Sequence, residues 1–196
     1  MADQANSIRT FARARDVHAA LALVIGAALK PTGFRRTRSG ICAFARPRAD
    51  GAGFVTVGVQ VSQWGSSWSG NSFTLNACGA AKRPDDSPHT YRLLSWLTSE
   101  DCAEGLAVER LIRARFPLPP PEHEVWALAE QPVGEVFRQS LAKLRTVNEE
   151  MWHPKRDRWL PYFDVADVRE WAEFLRPRIR RLLEQSEART PPLADS

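Results

Sequence analysis

Cysteine is scarce in this chain: three among 196 residues, at positions 42, 78 and 102. The count is odd and no two stand at metal or redox spacing, which excludes a disulfide scaffold and a CxxC pair. Reduced thiols buried as small apolar residues in a cytoplasmic chain are the expectation. Glycine and proline number 11 and 14 without any period, so collagen-like and low-complexity classes are excluded. The four histidines, His18, His89, His123 and His153, are scattered rather than clustered as zinc ligands are. GxSxG, HExxH and GxxxxGK[ST] are all missing, and no lysine follows an acid at two residues' distance. No metal, cofactor or catalytic constellation is therefore expected, which points away from catalysis. Long apolar runs are missing too. The stretch from Ala19 to Leu29 is too short to span a bilayer. Arg9, Arg13 and Arg15 before it imitate a leader peptide, but its alanines and His18 suit an amphipathic helix.

What is present is enough apolar sequence for a core: 43% hydrophobic and 26% charged. A helix is predicted over residues 8–29, with Ser7 as its N-cap and Lys30-Pro31-Thr32-Gly33 as its stop. Residues 34–46 predict a first strand, and Asp50-Gly51 a hairpin turn. Residues 54–63 form the clearest strand. Val55, Val57, Val59 and Val61 alternate with Thr56, Gly58, Gln60 and Ser62, so one face is dry and the other small and polar. Residues 72–79 resume a strand, with Phe73, Leu75 and Ala77 on the core side. Hairpin-sized links argue for an antiparallel meander.

Residues 80–90 read as a polar loop holding Asp85, Asp86 and His89, and 91–116 as helix or strand. Thr98-Ser99-Glu100-Asp101 resembles a helix start. Beyond Pro117–Pro121 the pattern is helical: a short helix over 122–130, a stripe from Val133 to Met151, and a helix capped by Asp164 that Pro177 should kink. The expected fold is α+β, an antiparallel sheet of about four strands packed with an N-terminal helix and C-terminal helices. Residues 1–120 supply helix and sheet, and 121–190 a helical part of the same domain. The expected core holds Val55, Val57, Val59, Val61, Phe73, Leu75, Phe137, Leu141, Trp171 and Leu175.

Charge is uneven. Residues 1–48 carry nine Lys or Arg against Asp3 and Asp16, within a chain of net charge +4. Arg35, Arg36 and Arg38 are the candidates for phosphate contact; the competing reading is a solvated face in a chain rich in arginine. The candidate ligand floor is the polar side of the sheet, Gln60, Ser62, Thr74 and Asn76, with Trp64 and Trp68 as aromatic walls. Its competitor is a wet or covered face. Trp152 and Trp159, which flank a basic segment, are expected to fix an inter-helix loop to the core.

Gly33-Phe34-Arg35-Arg36, the strand ending Val59-Gln60-Val61-Ser62-Gln63-Trp64, and Phe73-Thr74-Leu75-Asn76 before Gly79 occur in that order, with Arg46 closing the first strand. On these residues the chain, over about 10–80, resembles a bacterial family known as domain of unknown function 4304. The resemblance implies an α+β sheet domain and carries no established catalytic residues. Three functions follow as expectations. The first is a cytoplasmic binding or protein-interaction module, toxin-neutralising or regulatory, with a protein or small-molecule partner and no membrane. The second is an enzyme using the Gln60 and Asn76 face. The third is nucleic-acid binding through the arginine cluster.

Overall fold

The computed structural model of the chain describes residues 10–37, 43–49, 51, 53–65, 70–80, 89–117, 139, 143 and 145–189. Ser7, Ile8, Arg38, Ile41, Cys42, Asp50, Trp68, Asp85, Asp86, residues 122–130, Phe137 and Leu141 lie outside them.

The first helix, α1, is Ala14–Leu29, and its Val17, Leu21, Ile25 and Leu29 are buried at helical spacing. It starts later than the expected residue 8. The Ala12 N–H donates to the Phe163 carbonyl at 2.8 Å, and Phe11 meets the Phe163 ring edge-on. A tertiary contact thus takes the backbone that would have made the first turn. Asp16 then caps the helix by accepting the Arg13 N–H at 3.0 Å. A single 3-10 turn, Lys30–Thr32, ends it, and Gly33 takes the left-handed conformation at φ 86°, as Pro31 and Gly33 predict.

Among the described residues the sheet has six antiparallel strands, more than the expected four or so. They are β1 (Arg35–Arg36), β2 (Ala43–Pro47), β3 (Phe54–Val61), β4 (Asn71–Ala80), β5 (His89–Arg92) and β6 (Leu160–Tyr162). The order is β1-β2-β3-β4-β5, with β6 also paired to β4. Val57 lies opposite Ala77, Val59 opposite Leu75 and Val61 opposite Phe73. Val55, Val57, Val59, Phe73, Leu75 and Ala77 are buried, and Val61 is half-buried. The valines take the side read from their alternation, but the other side is not all wet: Thr56 and Thr74 on it are buried too. The extra strands have local reasons. The expected strand over 34–46 is two pieces, β1 and β2. The tract read as a loop ends in β5. β6 arises inside the segment read as helical, and its three residues are too few for a period to show.

After β5 comes a 3-10 turn, Leu93–Trp96, and then α2, Ser99–Ala114. Thr98 caps α2 as the sequence suggests: its hydroxyl accepts the Asp101 N–H at 3.2 Å, and Asp101 accepts the Thr98 N–H at 2.7 Å. The last two helices are α3, Val165–Leu175, and α4, Ile179–Arg189. Pro177 separates them outright, where a kink was expected, and Val168, Trp171, Leu175, Ile179, Leu182 and Leu183 stay buried across the break. α1 packs on α3 and α4, and α4 reaches β4, so the helices cover the valine face. Trp152 and Trp171 stack with centroids 5.9 Å apart and planes 13° apart. Trp152 therefore does fix its loop to the core, and its indole N–H donates to Glu109 at 2.6 Å.

Candidate functional site

The face of the sheet turned away from the helices carries Gln60 on β3, Thr74 and Asn76 on β4, and Arg92 at the end of β5. Pairing explains why they meet. Gln60 lies opposite Thr74, Gly58 opposite Asn76, and Asn76 opposite Arg92. Side chains of one sheet face that are neighbours across strands come within contact distance. The Arg92 guanidinium donates from Nη1 to Gln60 Oε1 at 2.8 Å and to Asn76 Oδ1 at 3.0 Å. Asn76 Nδ2 donates to Gln60 Oε1 at 3.2 Å. Nε of Arg92 stands 3.4 Å from the Asp157 carboxylate, and its Cζ lies 5.5 Å from the centroid of the Trp159 ring. The cation is thus held on three sides, while Nη2 has no partner among the described residues. Guanidinium planes kept in one orientation lose little entropy when they bind an oxygen acceptor.

Two further details belong to this face. Gly58, opposite Asn76, has open space where a Cβ would stand, so the floor is low there. The Thr74 hydroxyl is fully buried and has no partner among the described residues. Buried hydroxyls usually find a partner, so this one is a donor left in reserve or a small local cost.

Of the residues expected to form the floor, the structure brings Gln60, Thr74 and Asn76 together. Ser62 and Trp64 go elsewhere. The Ser62 hydroxyl accepts the Trp64 N–H at 3.1 Å, and its carbonyl accepts from Asn71 Nδ2 at 3.0 Å. Ser62 therefore shapes the β3–β4 turn, and Trp64 sits on that turn 84% exposed. Trp159 supplies an aromatic wall beside Arg92, and Trp68 lies outside the described residues. Arg92, Asp157 and Trp159 were missed, because nothing local in Tyr91-Arg92 or Asp157-Arg158-Trp159 shows which strand they adjoin.

Arg35 and Arg36 are exposed on β1, at the opposite edge of the sheet. Arg46 of the same arginine-rich stretch pairs with Glu187 and lies 5.2 Å over the Phe34 ring. The groups whose proton affinity is displaced are also elsewhere. Burial and the charge of Arg36 lower His18. Burial pushes Tyr162 up to about 12, with the Asn71 side chain working against it. Among the described residues no three His, Cys, Asp or Glu side chains gather as metal ligands would, and no helix is long and apolar enough to cross a membrane. Compared with protein-family models, curated proteins and solved structures, the chain finds no match.

Proposed function

We propose that the chain is a binding module without catalysis, acting in the cytoplasm, and that its ligand meets the Arg92 face of the sheet. One observation carries this reading: a guanidinium fixed by two amides and a carboxylate, with one nitrogen that has no partner among the described residues. That arrangement recognises a carboxylate or carbonyl oxygen, the group that a protein loop or a small acidic molecule presents. Cys78 and Cys102 form no disulfide among the described residues, which suits a reducing compartment. The resemblance of residues 10–80 to the family of domain of unknown function 4304 is a proposal of the same standing, and it brings no catalytic residue with it.

The test uses nitrogen-15 NMR of the arginine Nε–H signals during titration with an acetylated Gly-Asp dipeptide. A saturable shift confined to Arg92, with the dipeptide recovered unchanged, is the expected result. Gln60→Ala combined with Asn76→Ala should abolish it while the melting temperature moves by only a few degrees. No shift at Arg92, equal shifts at every arginine, or conversion of the dipeptide would overturn the reading.

A further inference from the structure

We infer that the groove between α1 and the β1–β2 edge is a docking surface for an acidic amphipathic helix of a partner protein. α1 has no Lys, Arg, Asp or Glu between Asp16 and Lys30. Its core stripe, Val17, Leu21, Ile25 and Leu29, is already buried against the fold. A second apolar stripe, Ala19, Ala22, Leu23 and Gly26, lines the surface: Ala19 and Leu23 are exposed, Leu23 at 71%, while Ala22 and Gly26 are half-buried. A helix that is apolar all round belongs inside a structure, and this one lies at a surface. The second stripe is one wall of a groove of about 730 Å³, whose other wall is Phe34 and Phe44.

The chemistry of the rim selects the occupant. Lys30, Arg35 and Arg36 line the groove, are all exposed, and have no carboxylate partner among the described residues. An occupant must therefore bring acids at its margins and apolar groups at its centre. Ala19 and Ala22 keep that end of the wall low enough for a second helix to approach, while the space over Gly26 is filled by the Phe44 ring, 3.0 Å from where a Cβ would stand. From Ala19 to Lys30 the wall runs roughly 16 Å, about three helical turns. A partner helix seated this way presents apolar residues every three or four positions. Other occupants fit less well. A nucleic-acid backbone would engage the three cations but lay phosphates on an apolar floor. A flat bilayer would not reach the floor of a concave groove. β1 is two residues long and too short to template an added strand. The surface lies at the opposite sheet edge from Arg92, so this inference stands apart from the function proposed above.

The test is fluorescence anisotropy of the full chain with a labelled 18-residue helical peptide, leucines on one stripe and glutamates on its flanks. Saturable binding is expected, weakening as salt rises. Leu23→Asp and the double change Arg35→Glu with Arg36→Glu should each weaken it at least tenfold, with unchanged melting curves. Arg92→Ala should leave it unaltered. A duplex DNA of 20 base pairs and vesicles of equal phosphatidylserine and phosphatidylcholine serve as competing probes. No peptide binding, or binding indifferent to both groove variants, overturns the inference. So does tighter binding of the DNA or the vesicles, or sedimentation showing a dimer that Leu23→Asp dissolves.

Discussion

Gly105 stands against the face of Trp152, and a Cβ built on it would fall 2.0 Å from the indole ring. The ring cannot step aside. It is stacked on Trp171, bonded to Glu109 and covered by the Arg158 guanidinium at 4.6 Å. Gly105→Ala therefore sets two effects against each other. Alanine favours a helix over glycine by about 1 kcal/mol. Overpacking a well-filled core costs about 1–3 kcal/mol. The clash should win, and chemical denaturation should show a net loss of stability. Single residues were unequally legible in the sequence. Val55, Val57 and Val59 announced their burial by alternation alone. Trp152 was readable as a fixing residue, but its need for a glycine across α2 was not, since 47 positions separate the two. Arg92 is the sharper case. Its partners come from β3, β4 and the segment before β6, so its role exists only after pairing.

Between elements, Asp101 joins α2 to α4. Its carboxylate accepts the Thr98 N–H, takes Arg178 Nε at 2.8 Å, and pairs with Arg181. Burial alone would raise its pKa; the hydrogen bonds from Thr98, Arg181 and Arg178 overturn that and bring it to about 2. The folded value lies below the unfolded one. The contribution is therefore complete above about pH 4 and lost as pH falls toward 2. Melting temperatures of the wild type and Asp101→Asn should differ most above pH 4 and converge below it. A constant difference down to pH 2 would place the effect outside titration of this carboxylate. Thr98 and Asp101 as a helix start were visible because capping is local. Arg178, in the turn before α4, and Arg181 of α4, which complete the junction, lie almost 80 residues away. Pro177 was visible as an interruption, but whether it bends or divides a helix depends on whether each half has its own burial. Here each half does.

At the scale of the molecule, one layer of helices covers one face of the sheet, and the layer draws on both ends of the chain. α1 packs more on α3 than on any strand, and β6 closes onto β4. Residues 1–120 alone would leave Val17, Leu21 and Ile25 without their cover. The fragment should lack a cooperative thermal transition. In the full chain, tryptophan fluorescence and far-ultraviolet dichroism should give coincident unfolding curves. Separate midpoints for the two signals would mean two independently stable parts. The sheet class was legible because antiparallel links are short. The strand count was not, because β1 and β6 are too short to carry a pattern.

The outer edge of β4 is shared: β5 takes residues 76–79 and β6 takes 71–73. A chain growing from its N-terminus lays down Gln60, Asn76 and Arg92 long before Asp157 and Trp159 exist. A ribosome-bound intermediate can therefore display the amides and the cation yet lack the carboxylate and ring that hold it. On the proposed reading, the site would be complete only once Asp157 and Trp159 have been added, so nascent chains would not compete with finished molecules for a ligand.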